Sequence, residues 1–414
     1  MKISQKFWFQ LHGWCSLPVW LIFTAVCLTG TVAVLSHELT WLFNQNARAY
    51  NPQNLPAKPV AELVAAVQQA EPTAAVTSVM VLEPYLVTAV LFTTETMPAA
   101  IAYVNPYTGV VQEINPGINF ISFMRSLHGW LLFPWQHSYS LGYYLVSAMS
   151  LLMLGALVTG LIIYKRFWQS FTAPKLRLHQ GKKTVLADLH RLAGVWSLWF
   201  LLLMSLTGLW YLIQAVLWHN DVEFYYETEP MSALYVPKPV SDGVQSAPAM
   251  IPLAQAVERA QQFLPELKPA FVAMPEHPRD YYRISGYGDS VWFDQYSYNV
   301  WINPWTGEVA DSRVPAQMDA LETVMSVADP LHYGTIGGLW TKAIWFVFGL
   351  VVSGMAITGF MIWGSRTIRG MAGRGAAGRE ATARVDQAMA ETAAIQSRTT
   401  TSSTTAGTVS GANQ

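Results

Sequence analysis

Cysteine is almost missing from this chain: among 414 residues there are two, Cys15 and Cys27, and both lie in one apolar run. That count excludes a disulfide framework and a Cys-rich zinc or iron–sulfur site. Charge is scarce too. Asp, Glu, Lys and Arg make up 12% of the chain, with a net charge of −1, where soluble domains carry about a quarter. No large basic surface can be built from so few cations, so nucleic acid is excluded as a partner. The chain also lacks a Rossmann glycine pattern, a P-loop, G-x-S-x-G and H-E-x-x-H. Nucleophile–base chemistry therefore has no support, and no catalytic side chain is assigned.

Apolar residues are abundant instead, at 52% hydrophobic with 17 tryptophans. Four uncharged runs, 13–35, 143–164, 192–218 and 343–363, reach the roughly 20 residues that a helix needs to cross a bilayer. The first, at 23 residues, is too long for a signal-peptide core and reads as a retained span. Segments 1–7, 165–191 and 364–414 hold 15 Lys and Arg in 85 positions; segments 37–127 and 219–342 hold 10 in 215. By the positive-inside rule both termini and the short loop face the cytoplasm, and the two long segments face outward. The Gly-, Ala-, Ser- and Thr-rich stretch after Arg366 reads as a disordered tail.

The two halves of the chain carry the same markers in the same order. Leu11-His12 and Leu189-His190 open spans one and three, followed by Thr29-Gly30 and Thr207-Gly208 at an offset of 178. Leu127-His128 and Leu331-His332 precede spans two and four, which end in Thr159-Gly160 and Thr358-Gly359. The outer segments share Tyr103-Val104-Asn105-Pro106-Tyr107-Thr108-Gly109 and Trp301-Ile302-Asn303-Pro304-Trp305-Thr306-Gly307. The unit is helix, outer module, helix, used twice in parallel. Each module reads as an amphipathic helix (Val60, Leu63, Val67; Leu253, Val257, Phe263) followed by short strands (76–82; 281–285 and 298–302), with Asn-Pro-aromatic-Thr-Gly as a hairpin turn.

The offsets sort nine histidines into two symmetric pairs and five others. His12 and His190 are mates near the inner face; His128 and His332 are mates near the outer face. A single histidine at a helix end is ordinarily an interfacial residue. Two from facing helices are natural axial ligands for a haem iron. Eighteen helical residues rise about 27 Å, so Gly30 and Gly208 fall at the level of His128 and His332, and Gly160 and Gly359 at that of His12 and His190. Glycine there gives clearance to a flat macrocycle. His37 with Glu38, and His219 with Asp221, end the first and third spans on the outer side and are weaker candidates for holding ferric iron.

These duplicated Leu-His and Thr-Gly helices, with an aromatic-rich outer module ending in Asn-Pro-x-Thr-Gly, resemble the PepSY-associated transmembrane family over roughly residues 5–370. The resemblance extends to bacterial inner-membrane ferric-siderophore reductases carrying b-type haems. It implies a membrane all-α four-helix bundle of two parallel helix–domain–helix repeats, with two small α+β PepSY-like periplasmic modules. The expected layout is a first span at 8–37, module one at 38–126, span two with its preceding re-entry segment at 127–165, and a basic loop at 166–188. Span three follows at 189–219, module two at 220–328, span four with its preceding segment at 329–365, and the tail at 366–414. Two haem b groups are implied, on His12 with His190 and on His128 with His332. The family's His/Glu pair corresponds to His37-Glu38, and the third span departs from it with Trp218-His219-Asn220-Asp221.

The expected activity is transfer of electrons across the bacterial inner membrane to periplasmic Fe(III), as free ion or siderophore chelate, from a cytoplasmic or quinol donor. Two other readings stand beside it: a permease for a siderophore or peptide without redox chemistry, and an interaction protein whose modules regulate a partner. Four spans with few polar groups offer little transport pathway.

Overall fold

The computed structural model describes residues 4–233, 236–237 and 249–405; the end of the tail, 406–414, lies outside the described residues. The chain divides into two compact units, residues 1–175 with 191–356, and residues 176–190 with 357–414.

In chain order the helices begin with α1 (Gln5–Ser16), α2 (Trp20–Val34), α3 (Ser36–Phe43) and α4 (Val60–Ala70). Strands β1 (Ala75–Met80), β2 (Thr88–Thr93), β3 (Ala100–Val104) and β4 (Val111–Asn115) follow, then α5 (Phe120–Trp130), α6 (Leu141–Ile163) and α7 (Phe167–Thr172). The second half runs α8 (Lys182–Trp196), α9 (Leu198–His219), α10 (Leu253–Phe263), β5 (Lys268–Ala273), β6 (Tyr282–Tyr287), β7 (Tyr298–Ile302), β8 (Val309–Arg313), α11 (Ala320–Tyr333) and α12 (Gly338–Thr405).

Among the described residues three helices are long and apolar enough to cross a membrane: Leu141–Ile163, Leu198–His219 and Gly338–Gly364. A fourth span exists if α1 and α2 count as one, for they are bent by 62° at the break between them. The apolar run 13–35 reads in sequence as one straight helix. Pro18 explains the difference, since it brings no N–H and its ring crowds the preceding turn, leaving a 3-10 turn over Leu17–Val19. The chain is thus a membrane-associated helical protein that also carries a β-sheet domain.

Glycines bring these helices close. A Cβ on Gly208 of α9 would sit 2.9 Å from Ser150 Cβ of α6, and one on Gly349 of α12 would sit 2.5 Å from Thr31 Oγ1 of α2. Small residues at such crossings let helix backbones approach where no hydrophobic effect drives them together. Tyr143 on α6 adds a hydrogen bond, donating its hydroxyl to Gln214 Oε1 of α9 at 2.9 Å.

The sheet domain differs from the two separate modules expected. All eight strands form one antiparallel sheet, ordered β4-β3-β2-β1-β5-β6-β7-β8. Its centre is the pairing of β1 with β5, with Ser78 opposite Ala273, Val79 opposite Val272 and Met80 opposite Phe271. Each half has a meander whose first strand would otherwise be an open edge, and pairing the two edges satisfies both. Alternation along the strands puts Val79, Val90, Ala102, Val272, Ile284 and Val300 into one core, closed by Leu63 and Val67 of α4 and Ala256 and Ala260 of α10. The two Asn-Pro turns work alike: Asn105 Oδ1 accepts from Tyr107 N (3.0 Å) and Asn303 Oδ1 from Trp305 N (2.8 Å). Gly109 and Gly307 supply the positive φ, +77° and +74°.

The tail also differs from expectation. It continues α12 as helix to Thr405 instead of losing order at residue 366. Ala, Arg, Met, Gln and Glu are good helix formers, and extending an existing helix needs no new nucleus. Within the second unit, Arg177 forks onto the buried Asp188 with Nε–Oδ2 and Nη2–Oδ1 at 2.9 and 2.8 Å.

Candidate functional site

Every one of the four paired histidines has its ring Nδ1 against the hydroxyl of a Thr-Gly pair in its own half. His12 meets Thr159 at 2.9 Å and His128 meets Thr29 at 3.3 Å. His190 meets Thr358 at 3.2 Å and His332 meets Thr207 at 2.8 Å. The glycines beside three of these threonines lie against the rings. A Cβ on Gly30 would stand 2.6 Å from His128 Cε1, on Gly160 3.4 Å from His12 Cε1, and on Gly359 3.2 Å from His190 Cε1. Gly208 differs: its neighbour is Ser150, so it serves helix contact instead of an imidazole. Gly30 and Gly359 thus clear the histidine ring itself, a role beyond clearance for a macrocycle, while a Cβ on Gly160 would make only ordinary contact with His12.

His128 and His332 come together. Their ring centroids are 6.2 Å apart with ring planes 27° from parallel. Both sit half-buried on short helices that follow the last strand of each half of the sheet. Local sequence sets both helices. Asn119 caps α5 by accepting from Ser122 N at 2.7 Å, and Asp319 caps α11 by accepting from Glu322 N at 2.9 Å. Arg313 on β8 donates Nε to Glu322 at 3.1 Å, which ties α11 to the sheet. At its other end Gly334 takes φ +72°, and Trp345 of α12 donates its indole N–H to the Leu331 carbonyl at 2.9 Å. That carbonyl is one of those a helix C-terminus leaves without an internal partner. Beside His332, Tyr211 stacks edge-on at 5.1 Å and donates its hydroxyl to Asp329 Oδ1 at 2.8 Å.

The donor set fits a haem iron. Two half-buried imidazoles from the two halves of the chain, 6.2 Å apart between ring centroids, offer the nitrogen donors such an iron takes, and His128 and His332 would hold it there. His12 lies in the first compact unit and His190 in the second, and each has its own threonine and glycine as given above.

Comparison with known families bears on the same residues. The model of the PepSY-associated TM region matches residues 9–366, which include all four histidines and all four Thr-Gly pairs. The chain belongs to the PepSY-associated transmembrane family. No curated protein is similar enough to this chain to count as a match.

In this PepSY-associated protein His37, Glu38 and His219 are not gathered into one site. His37 Nδ1 donates to Glu83 Oε2 at 2.6 Å, and Lys342 Nζ donates to Glu83 Oε1 at 2.5 Å and to Glu38 Oε1 at 2.9 Å. Tyr85 completes the group, giving its hydroxyl to Glu38 Oε1 at 2.8 Å. Both carboxylates therefore already hold a cation, the Lys342 ammonium. His219 sits elsewhere, with Tyr144 OH 3.2 Å from Nδ1 and Tyr139 packed on its ring. Among the described residues no group of three or more His, Cys, Asp and Glu is placed to hold a metal ion. Burial alone would raise the Glu83 carboxyl. Its hydrogen bond and charge contact with His37, with help from Lys342, override that and bring it down to about 2.

Sequence reasoning missed three parts of this region: the threonine hydroxyls as partners of the rings, the Lys342–Glu83 contact and the Tyr211–Asp329 bond. The first had a signal, since Thr precedes Gly in all four pairs. The other two join residues that the 178 offset does not relate.

Proposed function

We propose that this PepSY-associated protein is a b-type haem protein of the bacterial inner membrane that carries electrons outward to periplasmic Fe(III), held as a siderophore chelate. Both termini are cytoplasmic in this reading and the sheet domain is periplasmic. The α1–α2 pair counts as one span, so the helices make a four-span bundle of two parallel repeats. Two haem b groups serve it, one of them on His128 and His332, and a quinol or cytoplasmic donor supplies the electrons.

The observation that carries the reading is the His128–His332 pair, 6.2 Å between centroids, with each Nδ1 turned to a threonine. A bis-histidine haem exchanges one electron between Fe(III) and Fe(II) and keeps no open position for oxygen. The chain's own part is to hold the ligands at fixed depth, keep water out and present the chelate to the sheet side. Fe(II) binds hard oxygen chelators far less tightly than Fe(III), so release needs little side-chain chemistry.

The test is the absorbance spectrum of the purified full chain before and after dithionite. A sharp reduced b-type α-band with about two haems per chain supports the reading. A colourless, folded, membrane-inserted protein overturns it.

A further inference from the structure

The threonines bear on which histidine nitrogen could face a metal. A hydroxyl has one proton, and in these helices that proton is already committed. Thr207 Oγ1 donates to the Leu203 carbonyl at 2.9 Å, Thr159 to Gly155 at 2.6 Å and Thr29 to Ala25 at 2.9 Å. Each hydroxyl oxygen therefore has only lone pairs left to offer its imidazole, so the ring nitrogen facing it must carry the hydrogen.

We infer that Thr29, Thr159 and Thr207 are positioning residues that lock His128, His12 and His332 as Nδ1–H tautomers, leaving Nε2 unprotonated for iron, and that Thr207 sets the electron affinity of the haem between His128 and His332. This rests on the haem reading and goes beyond it. An acceptor on Nδ1–H makes the imidazole a stronger donor to the metal, which favours the ferric state. The two bonds of this pair are unequal, 2.8 Å from His332 to Thr207 and 3.3 Å from His128 to Thr29. His332 therefore depends more on its threonine, and the two substitutions have unequal effects.

The experiment compares the full-length wild type with Thr207→Val, Thr207→Ser and Thr29→Val, reading haem content, midpoint potentials by spectroelectrochemistry, and ferric low-spin g-values. Valine keeps the shape and removes the acceptor; serine keeps the acceptor. Thr207→Val raises one of the two potentials by on the order of tenfold in the reduction constant, which is about 59 mV for one electron, and shifts that haem's largest g-value. Thr207→Ser stays near wild type, and Thr29→Val moves the same haem by less. Potentials and g-values unmoved by Thr207→Val overturn the threonine role and leave the haem reading standing, as does equal loss of haem in the valine and serine variants. A wild type without haem overturns both.

Discussion

Lys342 is 5% exposed, and its ammonium touches two carboxylates on different elements, Glu38 on α3 and Glu83 after β1. Removing one partner of a buried ion group leaves the other charges uncompensated, which costs more than the group contributes when intact. Lys342→Met is expected to destabilise the protein by about 3 kcal/mol in detergent unfolding, and Glu83→Gln added to it recovers part of that loss. The His37–Lys342–Glu83 contact also carries a pH signature. With Glu83 lowered from 4.5 to about 2, its contribution is complete above about pH 4.5 and is lost as pH falls through 2. Asp294 behaves in the opposite sense. Burial pushes this half-buried carboxyl up from 3.8 to about 7, so the fold favours its protonated form. Its contribution is fully present below pH 3.8 and disappears as pH rises through 7. Unfolding curves at pH 5 and 8 check this: Asp294→Asn should flatten the decline between them. The histidines and the Thr-Gly pairs stand out in sequence because each marker occurs twice with its neighbours, although the bond from ring to hydroxyl does not. Lys342 and Glu83 were not, since they stand 259 residues apart and belong to no repeated pattern.

Among the elements, the strands and the two amphipathic helices followed from alternation and from the turn residues. Tyr298–Ile302 is the same in sequence reading and structure, while β1 ends at Met80, two residues before the apolar run does. The break between α1 and α2 was signalled by Pro18 within an apolar run whose hydropathy hides it. The joining of β1 to β5 was illegible, because an edge strand's partner depends on which edges are brought near, which local pattern does not encode. Two substitutions test the sheet. Ile284 is fully buried in β6, so Ile284→Ala should cost about 2–5 kcal/mol through lost contact and the cavity left behind. Gly307 holds φ +74° with only ordinary contacts around a Cβ, so Gly307→Ala should cost about 1 kcal/mol from backbone strain alone. Thermal or denaturant unfolding of each variant reads both values, and a Gly307→Ala cost as large as that of Ile284→Ala would contradict the account of the turn.

At the scale of the molecule, low charge and long apolar runs made the membrane class legible, and the Lys and Arg distribution supplied the proposed orientation. Labelling tests that orientation directly. In a background without Cys15 and Cys27, Asp289→Cys in the sheet domain should react with an impermeant maleimide from outside the inner membrane, and Asp386→Cys in α12 only after permeabilisation. The pairing of His128 with His332 across the two halves was expected from the repeat, whereas the local devices that set their helices, the Asn119 and Asp319 caps and the Arg313–Glu322 bond, were not. The central claim is that His128 and His332 share one haem. Haem stoichiometry in His128→Ala, His332→Ala and the double variant measures it most directly. The account predicts that each single variant loses the same one of two haems, with the double no worse than either. Loss of different haems in the two singles, or full haem content in both, would contradict it.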